Sequence, residues 1–219
     1  MSAVRPNILF ILTDQQRTDT LLSYAPVTRC RTPHLAALAR ESVQFDRAYC
    51  VTPVCAPARA SLQTGLYPCR HGIQNNLYYP GCLVHELPDS PHLLSRRLGA
   101  AGYLAGYTGK WHLGFGAAKP DNFEWRRHRE WHDLPAGWLA TGTLPSDVGY
   151  TADDFPGHGG GGHAFPQYRD YLRRRGFGSD FQAVSATTAP GYGVLCAPVE
   201  ASVDYFLVER AIACTDAFR

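Results

Sequence analysis

The chain has 219 residues, of which 45% are hydrophobic and 18% charged, with a formal net charge of +2. This is the balance of one large soluble domain with a proper core, and it shows no pull toward nucleic acid. The longest apolar run, Ile8 to Leu12, is far shorter than the roughly 20 residues that cross a bilayer, and no secretory signal pattern precedes it, so the chain reads as cytoplasmic and not membrane-bound.

In chain order, Asn7 to Thr13 is an apolar run of the kind buried on both faces of a central strand. It ends in Asp14-Gln15-Gln16, at the carboxyl end where open α/β sheets bind ligands. Thr32-Pro33 opens a helix carrying Leu35, Leu38 and Ala39, with Thr32 as its cap. Val43 to Tyr49 alternates weakly, as a strand does. Cys55 to Thr64 is a second helix, with Pro57 in its first turn and Gly65 as its stop. Ser90-Pro91 starts a third, carrying Leu93, Leu94 and Leu98 and stopped by Gly102. Tyr103 to Thr108 is a short strand leading into Gly109-Lys110-Trp111-His112.

From Phe115 to Gly193 the composition turns to Gly, Pro and aromatics, and an irregular excursion is expected there. Glu200 to Arg219 closes the chain as an amphipathic helix, with Val203, Phe206, Leu207, Ala211 and Cys214 on one side. The alternation of strands and helices predicts an α/β fold, a mostly parallel or mixed central sheet with helices on both faces.

Seven cysteines fit no zinc pattern and no disulfide framework. Most read as small buried hydrophobes, with Cys55 the exception. It heads a helix, where backbone N–H groups and the helix dipole favour negative charge, and Arg59 follows four residues later on the same face. Lys110 and His112 are two apart, so on an extended segment they point the same way. They join a cation to a group that moves protons near neutral pH. Two arginine-rich runs, Arg126 to Arg129 and Arg173 to Arg175, read as solvated faces, with an anion-lined pocket as the alternative. Trp125, Trp131 and Trp138 read as packing residues before a substrate rim. His34 carries no catalytic role, and Arg70 and His71 read as structural.

Cys55-Ala56-Pro57-Ala58-Arg59, continuing to Thr64-Gly65, resembles the C-x-P-x-R signature of the sulfatases, and Gly102 to His112 resembles their second signature, a strand ending in G-K-W-H. The resemblance covers Pro6 to Gly114. It implies an alkaline-phosphatase-like α/β fold and hydrolysis of a small-molecule or glycan sulfate ester. It further implies that a formylglycine-generating enzyme oxidises Cys55 to formylglycine, the nucleophile. Arg59, Lys110 and His112 then serve the sulfate group. Asp14, with Gln15 and the Cys55 oxygen, binds a divalent metal, usually calcium, though Gln15 stands where the family commonly has a second acidic residue. The later metal and substrate ligands of the family are assigned to no residue here, so residues 1–219 read as the N-terminal portion of a catalytic domain. The alternatives are a phosphonate or phosphate monoester hydrolase of the same superfamily, and an inactive fragment.

Overall fold

The computed structural model describes residues 5–25, 27–77, 84, 86–114, 143–152, 166–177 and 197–218. It divides into two units, Met1–Cys50 and Val51–Arg219. The Arg126–Arg129 run, Trp125, Trp131, Trp138, Cys82 and Cys196 lie outside the described residues.

Among its described residues the first unit contains a short 3-10 turn at Thr18–Thr20 and one helix, α1 (Pro33–Arg40). Pro33 sits at the first helical position as expected, but Thr32 does not cap the helix with its side chain. Its hydroxyl instead accepts the Leu22 N–H at 3.2 Å. The two strands expected here are not formed. Residues 7–13 carry no strand ladder, and Ile8 to Leu12 are 51 to 75% exposed. Val43, Phe45 and Tyr49 are likewise exposed. A strand exists only through a neighbour that takes its N–H and C=O groups, and no ladder is made among the described residues of this unit. No described residue of this unit is buried.

The second unit is organised around α2 (Cys55–Thr64). The helix starts and stops where its residues dictate. Pro57 fits the first turn, where no intrahelical N–H partner is needed, and Gly65 ends it in the left-handed region at φ 69. Ala56, Pro57, Arg59, Ala60 and Gln63 form its buried face, the spacing of one helix side. A short helix follows, α3 (Pro68–His71), then α4 (Leu94–Ala100). The helix α4 begins three residues later than Ser90-Pro91 suggests, because Ser90 caps a preceding turn by accepting the His92 N–H.

The only strands among the described residues are β1 (Gly106–Tyr107) and β2 (Thr151–Ala152), paired in parallel. The broad central sheet expected from the sequence is thus reduced here to two short strands. Tyr107 of β1 packs against the core formed with α2, in which Ala56, Ala60, Ile73, Leu77, Leu87, Leu93, Trp111, Leu113, Val148 and Tyr150 are buried in one cluster.

The expectation of an irregular course over 115–193 meets two ordered stretches. Residues 143–152 make a turn and β2, and α5 spans Pro166–Arg174. Tyr168, Tyr171 and Leu172 on α5 bury themselves against Ala201 and Phe206. The last helix, α6 (Val203–Ala217), is capped by Ser202, which accepts the Tyr205 N–H. Phe206 lies on the side of this helix that the sequence marks as apolar. It is only 4% exposed, because the α5 aromatics cover it, with ring centroids 5.4 Å from Tyr168 and 5.2 Å from Tyr171. Arg173 pairs with Asp170 and Arg175 with Glu209, so this arginine run is a surface face whose exposed ion pairs contribute little. Cys30, Cys50 and Cys69 are exposed thiols, not the buried hydrophobes expected.

Gly114 is held against the 143 turn. A Cβ there would lie 2.1 Å from the Thr143 carbonyl oxygen, a clash with backbone that cannot move aside. Gly114→Ala should therefore destabilise the fold by about 2 kcal/mol or more. Gly99, in α4 with nothing within 4 Å, should gain up to about 1 kcal/mol on substitution by Ala. Chemical denaturation of both variants checks the contrast.

Candidate active site

The site is built on α2. Cys55 is its first residue and is partly buried, and Arg59, one turn on, is buried at 9% exposure. The guanidinium crosses to the segment after β1, where its Nη1 donates to the Lys110 carbonyl at 2.6 Å. This bond joins two motifs that are 51 residues apart in sequence. The same carbonyl accepts the Tyr107 hydroxyl, also at 2.6 Å.

His112 is buried, 4% exposed, and its backbone is left-handed at φ 53. Gly109 is left-handed as well, at φ 102. The segment is therefore not extended, and the period-two argument that Lys110 and His112 point the same way does not apply to it. Lys110 is partly exposed, between buried Gly109 and buried Trp111. Trp111 anchors the segment, with its indole Nε1 donating to the Thr143 carbonyl at 2.8 Å.

The start of α2 differs from a bare anion-binding helix end. Val54 has no side-chain acceptor to cap it. Asn76 does the capping from outside, accepting the Ala56 N–H on its Oδ1 at 3.1 Å. Pro57 has no N–H, and Ala58 donates to the Val54 carbonyl at 3.0 Å. The N–H groups expected to favour an anion at Cys55 are thus largely committed. Sequence reasoning missed Asn76. Its only signal is that Val54 cannot cap, which calls for a capping group without saying where it lies. Tyr107 was missed because a tyrosine in a strand reads as core.

His71 ties α3 to α2. Its Nδ1 accepts the Ile73 N–H at 3.1 Å, so its proton sits on Nε2, which faces the Ser61 Oγ at 3.0 Å. A ring that donates to Ser61 cannot also take its proton. The pair is therefore structural, not a nucleophile and its base.

Asp14 and Gln15 stand in the first unit at a bend, with Gln15 left-handed at φ 57. They contribute a carboxylate and an amide oxygen, donors suited to a hard cation. Among the described residues no group of three or more His, Cys, Asp or Glu could hold a metal ion. An Asp-Asn pair that the sequence reading passed over, Asp121-Asn122, lies outside the described residues. No helix among the described residues is long and apolar enough to cross a membrane.

The sulfatase family model matches residues 6–155. The ulvan-active sulfatase of Formosa agariphila is 47% identical over 110 residues, covering 50% of this chain and 20% of that protein. Human N-acetylgalactosamine-6-sulfatase is 33% identical over 211 residues, 85% of this chain and 40% of that protein. Among solved structures, the phosphonate monoester hydrolase of Agrobacterium radiobacter superposes with a TM-score of 0.62 at 25% identity, over 97% of this chain and 38% of that one. This chain belongs to the sulfatase family. It spans between a fifth and two fifths of the length of the two curated relatives named.

Burial holds the His71 imidazole below its ordinary 6.5, outweighing a backbone hydrogen bond to Pro57. A histidine depressed in the folded state contributes stability that is fully present above the unfolded value and lost as pH falls through the folded one. Unfolding free energy should therefore decline as pH drops below 6.5. His71→Gln should flatten that decline, as read by urea titrations at a series of pH values. An unchanged pH slope in the variant would contradict the assignment.

Proposed function

We propose that this chain carries the nucleophile-bearing part of a sulfuric ester hydrolase, with Cys55 oxidised to formylglycine by a formylglycine-generating enzyme. The observation that carries this reading is the bond from buried Arg59 to the Lys110 carbonyl. It joins the helix that presents Cys55 to the segment that holds Lys110 and His112. The names of the two sulfatase relatives favour a sugar sulfate as substrate, a glycan or smaller ester.

When formed, formylglycine supplies a hydrated aldehyde, one hydroxyl of which attacks sulfur while the other, losing its proton, restores the aldehyde and expels sulfate. The remaining work falls to residues of this chain. Arg59 keeps a fixed positive charge on the helix that bears the nucleophile. Lys110 balances charge that grows on the sulfate oxygens. His112 moves a proton at the ester oxygen, giving it to the departing alcohol.

Asp14 and Gln15 offer a carboxylate and an amide oxygen as this chain's share of a site for a divalent cation such as calcium. A calcium ion takes about 6–8 oxygen ligands. These residues fall short of that number, so they do not make the site by themselves and no step is derived through a metal.

A second reading, a phosphonate or phosphate monoester hydrolase of the same superfamily, is favoured by the match to the phosphonate monoester hydrolase over 97% of this chain. A third is that this chain alone is inactive.

Co-expression with a formylglycine-generating enzyme, followed by mass spectrometry of the Cys55 peptide, should find the aldehyde, and Arg59→Ala should reduce its yield. The modified protein should hydrolyse an aryl sulfate faster than an aryl phosphonate monoester, with both activities lost in Cys55→Ala. Faster phosphonate turnover would favour the second reading. Complete modification without turnover of either ester would favour the third.

A further inference from the structure

We propose that Tyr107 is a positioning residue for the reaction, which with Arg59 grips the Lys110 carbonyl and so sets the course of the chain through Lys110 and His112. The inference rests on the sulfatase reading above.

A carbonyl oxygen has two lone pairs, and both are used here, one by the Arg59 Nη1 and one by the Tyr107 hydroxyl, each at 2.6 Å. The donors reach it from different elements, Arg59 from α2 and Tyr107 from β1. Two donors on one oxygen fix the position of the peptide plane between Lys110 and Trp111, and this plane sets where the flanking side chains leave the backbone. The need for such a hold is local. Gly109 and His112 are both left-handed, at φ 102 and φ 53. For His112 that conformation is sterically unfavourable and persists only where the surroundings impose it.

The Tyr107 hydroxyl is itself preset. Its ring meets Trp111 edge-on, with centroids 5.2 Å apart, and lies 5.3 Å from the Tyr150 ring. Tyr150 is in turn held to α2 by its hydroxyl, which donates to the Gln63 Oε1 at 2.7 Å. Burial pushes the Tyr107 phenol up to about 12. The hydroxyl therefore keeps its proton, and the grip keeps its second donor, throughout the range in which His112 would work. Cys55 and Arg59 ride on α2 while Lys110 and His112 follow β1. A misplacement between two such halves costs rate far more than it costs substrate binding.

Tyr107→Phe keeps the ring and its packing and removes only the hydroxyl. In the formylglycine-bearing protein, kcat for an aryl sulfate should fall about tenfold, the rate equivalent of one lost hydrogen bond, with KM moved by less than about twofold. Tyr168→Phe removes a buried tyrosine hydroxyl from α5, where it donates to the Ala201 carbonyl, without touching α2, β1 or the Lys110 carbonyl, and should leave both constants near wild type. Wild-type kcat in Tyr107→Phe, or an equal loss in both variants, would overturn the proposal. Amide hydrogen exchange gives a readout that needs no turnover. Exchange over residues 109–114 should be faster in Tyr107→Phe and unchanged in Tyr168→Phe. If the wild-type protein hydrolyses no sulfate ester, the functional reading falls and exchange alone judges the grip: equal rates in wild type and Tyr107→Phe would refute it.

Discussion

The carbonyl oxygen of Lys110 is the point on which the site depends. It accepts a charged donor from α2 and a neutral one from β1. Charge-assisted hydrogen bonds are roughly twice as strong as neutral ones, and Arg59 makes its bond from a buried position. A guanidinium taken out of water must be paired, because an unpaired buried charge costs several kcal/mol. The backbone oxygen supplies one acceptor for it, so the burial of Arg59 and the course of the 109–112 segment are linked. This also explains why Arg59 lies on the inward face of α2, among alanines and Gln63, where a cation would otherwise be out of place.

Around this point the second unit has the features of a rigid support. Small residues on α2, Ala56 and Ala60, let the helix approach Trp111, Leu113 and Tyr150 closely. Gln63 and Ser61 on the same helix bond outward to Tyr150 and His71, and Asn76 closes its N-terminus. The helix that presents Cys55 is thus tied at its start, middle and end by polar contacts to three separate stretches of chain. At the far side, α6 packs over β1. A Cβ on Gly106 would fall 2.4 Å from the Cys214 Sγ and 2.6 Å from the Phe218 ring, so glycine is required where the strand and the helix meet.

Parts of this were legible in the sequence because the signals are local. The limits of α2 follow from Pro57 and Gly65, and the motif order places Cys55, Arg59 and Lys110 in one family. The strands were not legible in the same way. Ile8 to Leu12 has the composition of a central strand, yet strand structure is a property of a pair, and no ladder forms for it among the described residues. α5 was hidden by the Gly- and Pro-rich composition around it, although Tyr168, Tyr171 and Leu172 at helical spacing carry the pattern. The left-handed His112 was beyond reach because a histidine rarely adopts it. The roles of Tyr107 and Asn76 lie in contacts to backbone groups 3 and 20 residues away, which no spacing rule encodes.

A double-mutant cycle on the stability of the folded protein tests the shared grip most directly. Arg59→Met and Tyr107→Phe each remove one donor and leave the Lys110 carbonyl with the other. Together they remove both of these donors from a part-buried oxygen, and an acceptor left unsatisfied away from water costs about 1–3 kcal/mol. The double variant should therefore lose more stability than the sum of the single losses, by about 1 kcal/mol. Losses that add to within about 0.3 kcal/mol would show that the two residues act on independent sites and that the Lys110 carbonyl does not join them.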